Sequence, residues 1–252
     1  TTEIKSGKIH ALIGPNGAGK STFLNAVSGI YAVSGGEISF LGGKTTELVS
    51  HQLAQKGLAR TFQNTELFSE MSVLENVLIG FHNDYRTSLL STVLRLPAFG
   101  AEEAAHRKAA LDLLDFAGLG AFANEKAKNL PFGFQRKLEI ARALAVKPKL
   151  LLLDEPAAGL TQSEIADLIE LIRALAETGI TILVIEHHIE LILAISEHVT
   201  VLDYGQVIAA GTAQQIQQDP KVIEAYFGST EMMEAIAHES SRHRAPIETP
   251  AG

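Results

Sequence analysis

Short apolar runs punctuated by glycine alternate along this chain with stretches of helical periodicity. Ile9–Ile13 is an apolar run bounded by Gly7 and Gly14, and it reads as a buried strand. It runs through Gly14–Thr22 into Phe23–Val27, which reads as a helix. Residues 37–41 read as a further strand, 48–55 as a helix, and 58–62 as a strand ending at Gln63. The pattern resumes with the all-leucine run 150–153, a strand, followed by a helix over 163–177 with apolar residues at 165, 168, 169, 172 and 175. A strand over 181–185, a helix over 189–195, and strands over 199–202 and 206–209 complete the pattern. Strands alternating with helices predict an α/β fold with a mostly parallel sheet covered on both faces.

Between residues 83 and 146 the strand signal vanishes, and helices are predicted over 102–116 and 134–146. This stretch reads as an all-helical lobe, 83–146, inserted between the two halves of a core formed by 1–82 and 147–228. The final residues, 229–252, lose their periodicity after Ala237 and are expected to form a mobile tail. No internal repeat or low-complexity segment is found.

Hydrophobic residues make up 46% of the 252, ample for a packed core. The greasiest stretch, 180–195, is interrupted by Glu186, His187, His188 and Glu190, so it does not read as a membrane span. Asp and Glu outnumber Lys and Arg by 29 to 21, a balance that disfavours a nucleic-acid partner. The absence of cysteine excludes a disulfide frame, a thiolate metal site and a catalytic thiol. Thr1–Gly7 shows no secretory signal. A soluble, cytosolic protein is expected.

The segment Gly14-Pro-Asn16-Gly17-Ala18-Gly19-Lys20-Ser21 matches the phosphate-binding pattern G-x-x-x-x-G-K-[ST] in full, between a strand and a helix. Glycines there let successive N–H groups turn inward on phosphate oxygens, and the start of the helix through Ser21 and Thr22 adds its positive end. Lys20 supplies charge to the β- and γ-phosphates, and the Ser21 hydroxyl suits Mg²⁺. The leucine strand ends in Asp154 and Glu155, at the edge where parallel sheets bind ligands. Asp154 suits a Mg²⁺ carboxylate and Glu155 a base that deprotonates water for attack on the γ-phosphate. The expected fold is therefore a P-loop NTPase core, with ATP and Mg²⁺ as its cofactors. A GTPase is disfavoured, because no Asn-Lys-x-Asp base-reading motif is present.

The order of these features resembles the ATP-binding cassette ATPases through residue 228. The phosphate loop, Arg60-Thr-Phe-Gln63, Leu130-Pro-Phe-Gly133-Phe-Gln135-Arg136, Leu150–Pro156 and Glu186-His187 follow one another as in that family. The finer match, in 60–77, KLEIARAL, LLLDEPAAGL, ITILVIEHH and DPKVIEAYFG, is to the ATPase subunits of branched-chain amino acid importers.

The resemblance implies further roles. Gln63 would touch Mg²⁺ or the attacking water, and His187 would contact the γ-phosphate. The Gly133 N–H would bind the γ-phosphate of ATP held by a second protomer. Transmembrane permease subunits would be partners, with a solute-binding protein acting indirectly, and the subunit would sit on the cytoplasmic face of the membrane. The region from Gln63 through Glu75 is the candidate permease dock.

Several features depart from the family. Pro131 stands where a serine would bond phosphate, Phe134 where a glutamine is usual, Thr161 where relatives often have Asp or Asn, and His188 where an acid is common. The family has a further strand ahead of Thr1, carrying the aromatic that stacks on adenine; the resemblance thus implies a piece of a longer chain and assigns no adenine contact. The competing functions are a nucleotide-binding regulatory module with weak hydrolysis, which Pro131 and Phe134 favour, and a cassette ATPase of another transporter.

Overall fold

The computed structural model describes residues 1–63, 66–83 and 97–226. The proposed tail, 229–252, lies outside these residues, as does most of 83–96.

The six-stranded sheet is built from β4 (Leu58–Arg60), β5 (Leu150–Asp154), β6 (Thr181–Ile185), β1 (Ile9–Ile13), β7 (His198–Asp203) and β8 (Gln206–Gly211), in that spatial order. All neighbours pair in parallel except β7 and β8, which form an antiparallel hairpin. Every residue of β1, β5 and β6 is buried, as expected of strands covered on both faces. The pleat sorts their side chains. Leu151, Leu153, Ile182 and Val184 face α6 (Gln162–Glu177) and α7 (Ile189–Ile195), whereas Leu150, Leu152, Leu183 and Ile185 join Leu24 of α1 (Lys20–Val27) and Leu53 of α2 (Ser50–Gln55).

The strand expected over 37–41 is instead two short strands, β2 (Ser39–Phe40) and β3 (Gly43–Lys44), paired antiparallel across Leu41-Gly42. Leu41 and Gly42 both take positive φ, at 53° and 74°, which turns the chain back before a longer strand can form.

The helical region packs α3 (Val73–Gly80), α4 (Pro97–Phe116) and α5 (Phe132–Leu144) around Val77, Phe81, Leu114, Leu119 and Leu138. Its apolar cluster therefore takes in α3, ahead of residue 83. Ser72 and Glu75 start α3 with a reciprocal capping box, as Thr161 and Glu164 start α6. Small helices α8 (Ala213–Gln217) and α9 (Pro220–Ala225) follow the β7–β8 hairpin.

Candidate nucleotide site

The strands β1, β5 and β6 all end at one edge of the sheet, and the candidate residues lie on the turns that follow them. Gly14 is buried where the loop leaves β1; a Cβ there would lie 2.2 Å from the Leu202 carbonyl oxygen, so only glycine lets the loop pass β7 this closely. Asn16 and Gly17 are exposed, Ala18 is buried, and Gly19 caps α1 in the left-handed region at φ 98°. Ser21 and Thr22 are exposed in the first turn of α1. Lys20 reaches back along the loop, its Nζ donating to the carbonyls of Gly14 at 2.7 Å and Pro15 at 3.1 Å. Burial lowers its pKa, against the opposing charges of Glu155 and Asp154.

Asp154 is buried at the end of β5, where its Oδ2 accepts from the Arg60 guanidinium at 3.0 Å. Both side chains are only 9% exposed, so this pair forms the floor of the site rather than a solvated surface bridge. Arg60 also donates to Asn25 Oδ1 and Ser28 Oγ, each at 2.8 Å, tying the floor to α1. Glu155 adopts φ 46°, an uncommon conformation for a non-glycine residue, and its N–H donates to Ile185 O at 2.8 Å. Its Oε2 accepts from Gln63 Nε2 at 2.8 Å.

Gln63 is held from behind. Arg136 of α5 donates to the Gln63 carbonyl at 2.7 Å and the Phe62 carbonyl at 3.3 Å, and pairs with Glu139 at 3.1 Å. Glu139 in turn accepts from the Glu66 N–H at 3.0 Å. Its pKa is raised by burial, against the bonds from the Glu66 N–H and Arg136.

The exposed His187 follows β6, and its neighbour Glu186 is buried between the β5 and β6 turns. Gly133 stands apart from this group. It is buried at the start of α5, and its N–H donates to Glu164 Oε1 at 3.2 Å. The structure thus gathers Lys20, Asp154, Glu155 and Gln63 at one edge, with His187 on the adjoining turn, and leaves Gly133 against α6. Arg60, Arg136 and the anchoring role of Glu186 were missed in the sequence, since Arg60, Arg136 and the Glu186 bond to Ala157 each reach residues far along the chain. The oxygen donors of Ser21, Asp154 and Gln63 form a hard set of the kind Mg²⁺ takes, and Asp154 Oδ1 makes no bond to Arg60.

A phosphate loop after the first core strand, acids at the end of the buried strand β5 and a helical region set into the chain define an ATP-binding cassette. Residues 1–158 match the ABC transporter family, and the chain belongs to it. Residues 206–231 match a second family, described as branched-chain amino acid ATP-binding cassette transporter.

The chain is 42% identical over 227 residues to the high-affinity branched-chain amino acid transport ATP-binding protein BraF of Pseudomonas aeruginosa, covering 90% of this chain and 89% of that protein. It is equally similar, at 42%, with the same coverage, to LivG of Escherichia coli, which has the same description. A crystal structure of a nucleotide-free ATP-binding cassette from an ABC transporter superposes with a TM-score of 0.77 at 33% identity, covering 89% of this chain and 90% of that one. A dimeric cassette in a post-hydrolysis state, bound to ADP and Pi, superposes with a TM-score of 0.70 at 30% identity, covering 84% and 88%. The protein is an ATP-binding cassette ATPase of the kind that powers transport, with the P-loop NTPase fold expected from the sequence. Among the described residues no helix is long and apolar enough to cross a membrane.

Proposed function

We propose that this chain hydrolyses ATP to drive an importer of branched-chain or related amino acids. The observation that carries the hydrolytic part is the Gln63–Glu155 hydrogen bond of 2.8 Å, beside a lysine that feels the charges of both Glu155 and Asp154. In this reading the loop N–H groups of Asn16–Gly19 and the Lys20 ammonium hold the phosphates, and Lys20 exchanges its loop carbonyls for phosphate oxygens. Mg²⁺, held by Ser21, Asp154 and Gln63, would neutralise phosphate charge. Glu155 accepts the proton of the attacking water once Gln63 turns away from its carboxylate. His187 contacts the γ-phosphate from the neighbouring turn. Gly133 offers its N–H to ATP on a second protomer; that a solved relative is dimeric supports the presence of such a partner.

The importer assignment rests on the similarity to BraF and LivG and on the match of residues 206–231. A groove of about 330 Å³ between the core and the helical region supports docking to a permease on the cytoplasmic face of the membrane. It is lined by Phe62, Phe68, Ile79 and Arg142, and Phe62 and Phe68 are 39% and 50% exposed. Phe68 lies within the Gln63–Glu75 segment expected to dock. A solute-binding protein would act through the permease.

The test is Glu155→Gln, which keeps the shape of the side chain and removes the proton acceptor. Turnover should fall about 10²–10⁴-fold while ATP binding persists. Turnover within about threefold of the parent would overturn Glu155 as the base. Lys20→Ala should instead weaken ATP binding itself, by roughly 10–100-fold.

A further inference from the structure

Three backbone N–H groups from two different turns converge on one buried carboxylate. Glu186, the residue after β6, is 1% exposed. Its Oε1 accepts from the Ala157 N–H at 2.7 Å, two residues beyond Glu155. Its Oε2 accepts from the N–H groups of His187 at 2.9 Å and His188 at 3.1 Å. The Glu155 N–H, bonded to Ile185 O at 2.8 Å, joins the same two turns a second time.

The residue type follows from this geometry. A buried carboxylate is unfavourable unless hydrogen bonds compensate it, and N–H bonds to a charged oxygen are the strong ones. Both oxygens face donors, so an amide would turn its NH₂ against an N–H on one side. Oxygens so engaged also argue against a metal ion at the Glu186–His187–His188 cluster, even though its ligand atoms lie within 4.8 Å of one another.

We propose that Glu186 is a positioning residue for hydrolysis, holding the turn that carries Glu155 and the turn that carries His187 in one fixed relation. This rests on the hydrolytic reading above. Glu155 sits at φ 46°, a conformation that persists only while its surroundings hold it. Releasing Ala157 lets the base drift from the water it must activate. Releasing His187 separates the γ-phosphate contact from that base. The phosphate loop, on a different strand, keeps its hold on ATP.

The experiment compares steady-state hydrolysis and ATP-binding stoichiometry for the full chain and the variants Glu186→Gln and Glu186→Asp. The aspartate keeps the charge but is too short to reach both turns. For either variant we expect kcat to fall roughly 10–100-fold, the scale of a 1 Å misplacement, with KM within about twofold and one ATP still bound per chain. The double variant Glu155→Gln/Glu186→Gln should lose clearly less than the product of the two single losses, because one of the two turns that Glu186 holds acts through the base already removed. Turnover within about threefold of the parent in both single variants overturns the proposal. Loss of ATP binding in step with turnover, additive effects in the double variant, or failure of both variants to fold also overturns it, by assigning Glu186 to stability alone. Retained turnover in Glu155→Gln would count against the hydrolytic reading instead.

Discussion

The Glu164 carboxylate accepts a hydrogen bond from the Gly133 N–H at 3.2 Å, so an acid of α6 caps the start of α5. Pro131, at the N-cap of α5, makes no side-chain cap, and Glu164 serves in its place. The same carboxylate takes the Thr161 N–H and hydroxyl, each at 2.8 Å, and these bonds hold its pKa below the usual carboxylate range. A Cβ on Gly133 would lie 2.5 Å from Glu164 Oε1, so a side chain there would displace the Glu164 carboxylate from the N–H it caps.

A phosphate of a second protomer can reach the Gly133 N–H only after Glu164 has left it. Glu164→Ala, on a Glu155→Gln background, should therefore tighten ATP-driven dimerisation by roughly tenfold. Thr161→Ala removes the other half of the capping box, leaves the Gly133 bond, and should not tighten it. Sedimentation at fixed ATP separates the two. Unchanged or weaker association of the Glu164 variant would count against a phosphate at Gly133.

The Arg136 clamp gives a stability prediction. Arg136 and Glu139 have side chains only 6% and 4% exposed, and removing one partner leaves the other charge buried and unpaired. Arg136→Met should cost about 3–5 kcal/mol, measured by urea unfolding at neutral pH. With Glu139 changed to leucine as well, most of that loss should return, because no buried charge remains. The loss should also shrink as pH falls, since burial already raises the Glu139 pKa and a lone Glu139 protonates more readily still. A pH-independent loss would show that packing of the arginine stem, not charge, accounts for it.

The parts of the site that are local in the chain were legible in the sequence. The loop from Gly14 to Ser21 carries all of its phosphate-binding devices within eight consecutive residues, and an all-leucine strand announces Asp154 and Glu155. Helix α3 was legible but missed: Ser72 and Glu75 have the spacing of a capping box, followed by apolar residues at 73, 74, 77 and 78. The partners were another matter. Arg60 finds Asp154 94 residues away and Arg136 finds the Gln63 carbonyl 73 away, contacts set by strand order and helix packing. Glu164 on Gly133, 31 residues apart, needed the packing of α6 on α5 before its proximity could be known.

A buried histidine on β1 makes the core sensitive to acid. His10 is 2% exposed, its Nε2 lies 2.9 Å from Thr200 Oγ1, and its ring centroid is 4.9 Å from that of His198. Burial foremost, and then the charge of His198, pushes its pKa from 6.5 down to about 4. Between those two values the unfolded chain binds the proton and the folded protein does not, so stability is lost as pH falls through that window. From pH 7 to pH 5 the loss from this one group should be about 2 kcal/mol. His10→Gln keeps a partner for Thr200 and removes the titration, so its unfolding midpoint in urea should fall less over the same range. The difference should fade above pH 7, where His10 is neutral in both states. If parent and variant show the same slope between pH 7 and pH 5, His10 takes up its proton equally in the folded and unfolded chains, and the acid sensitivity of the core arises elsewhere.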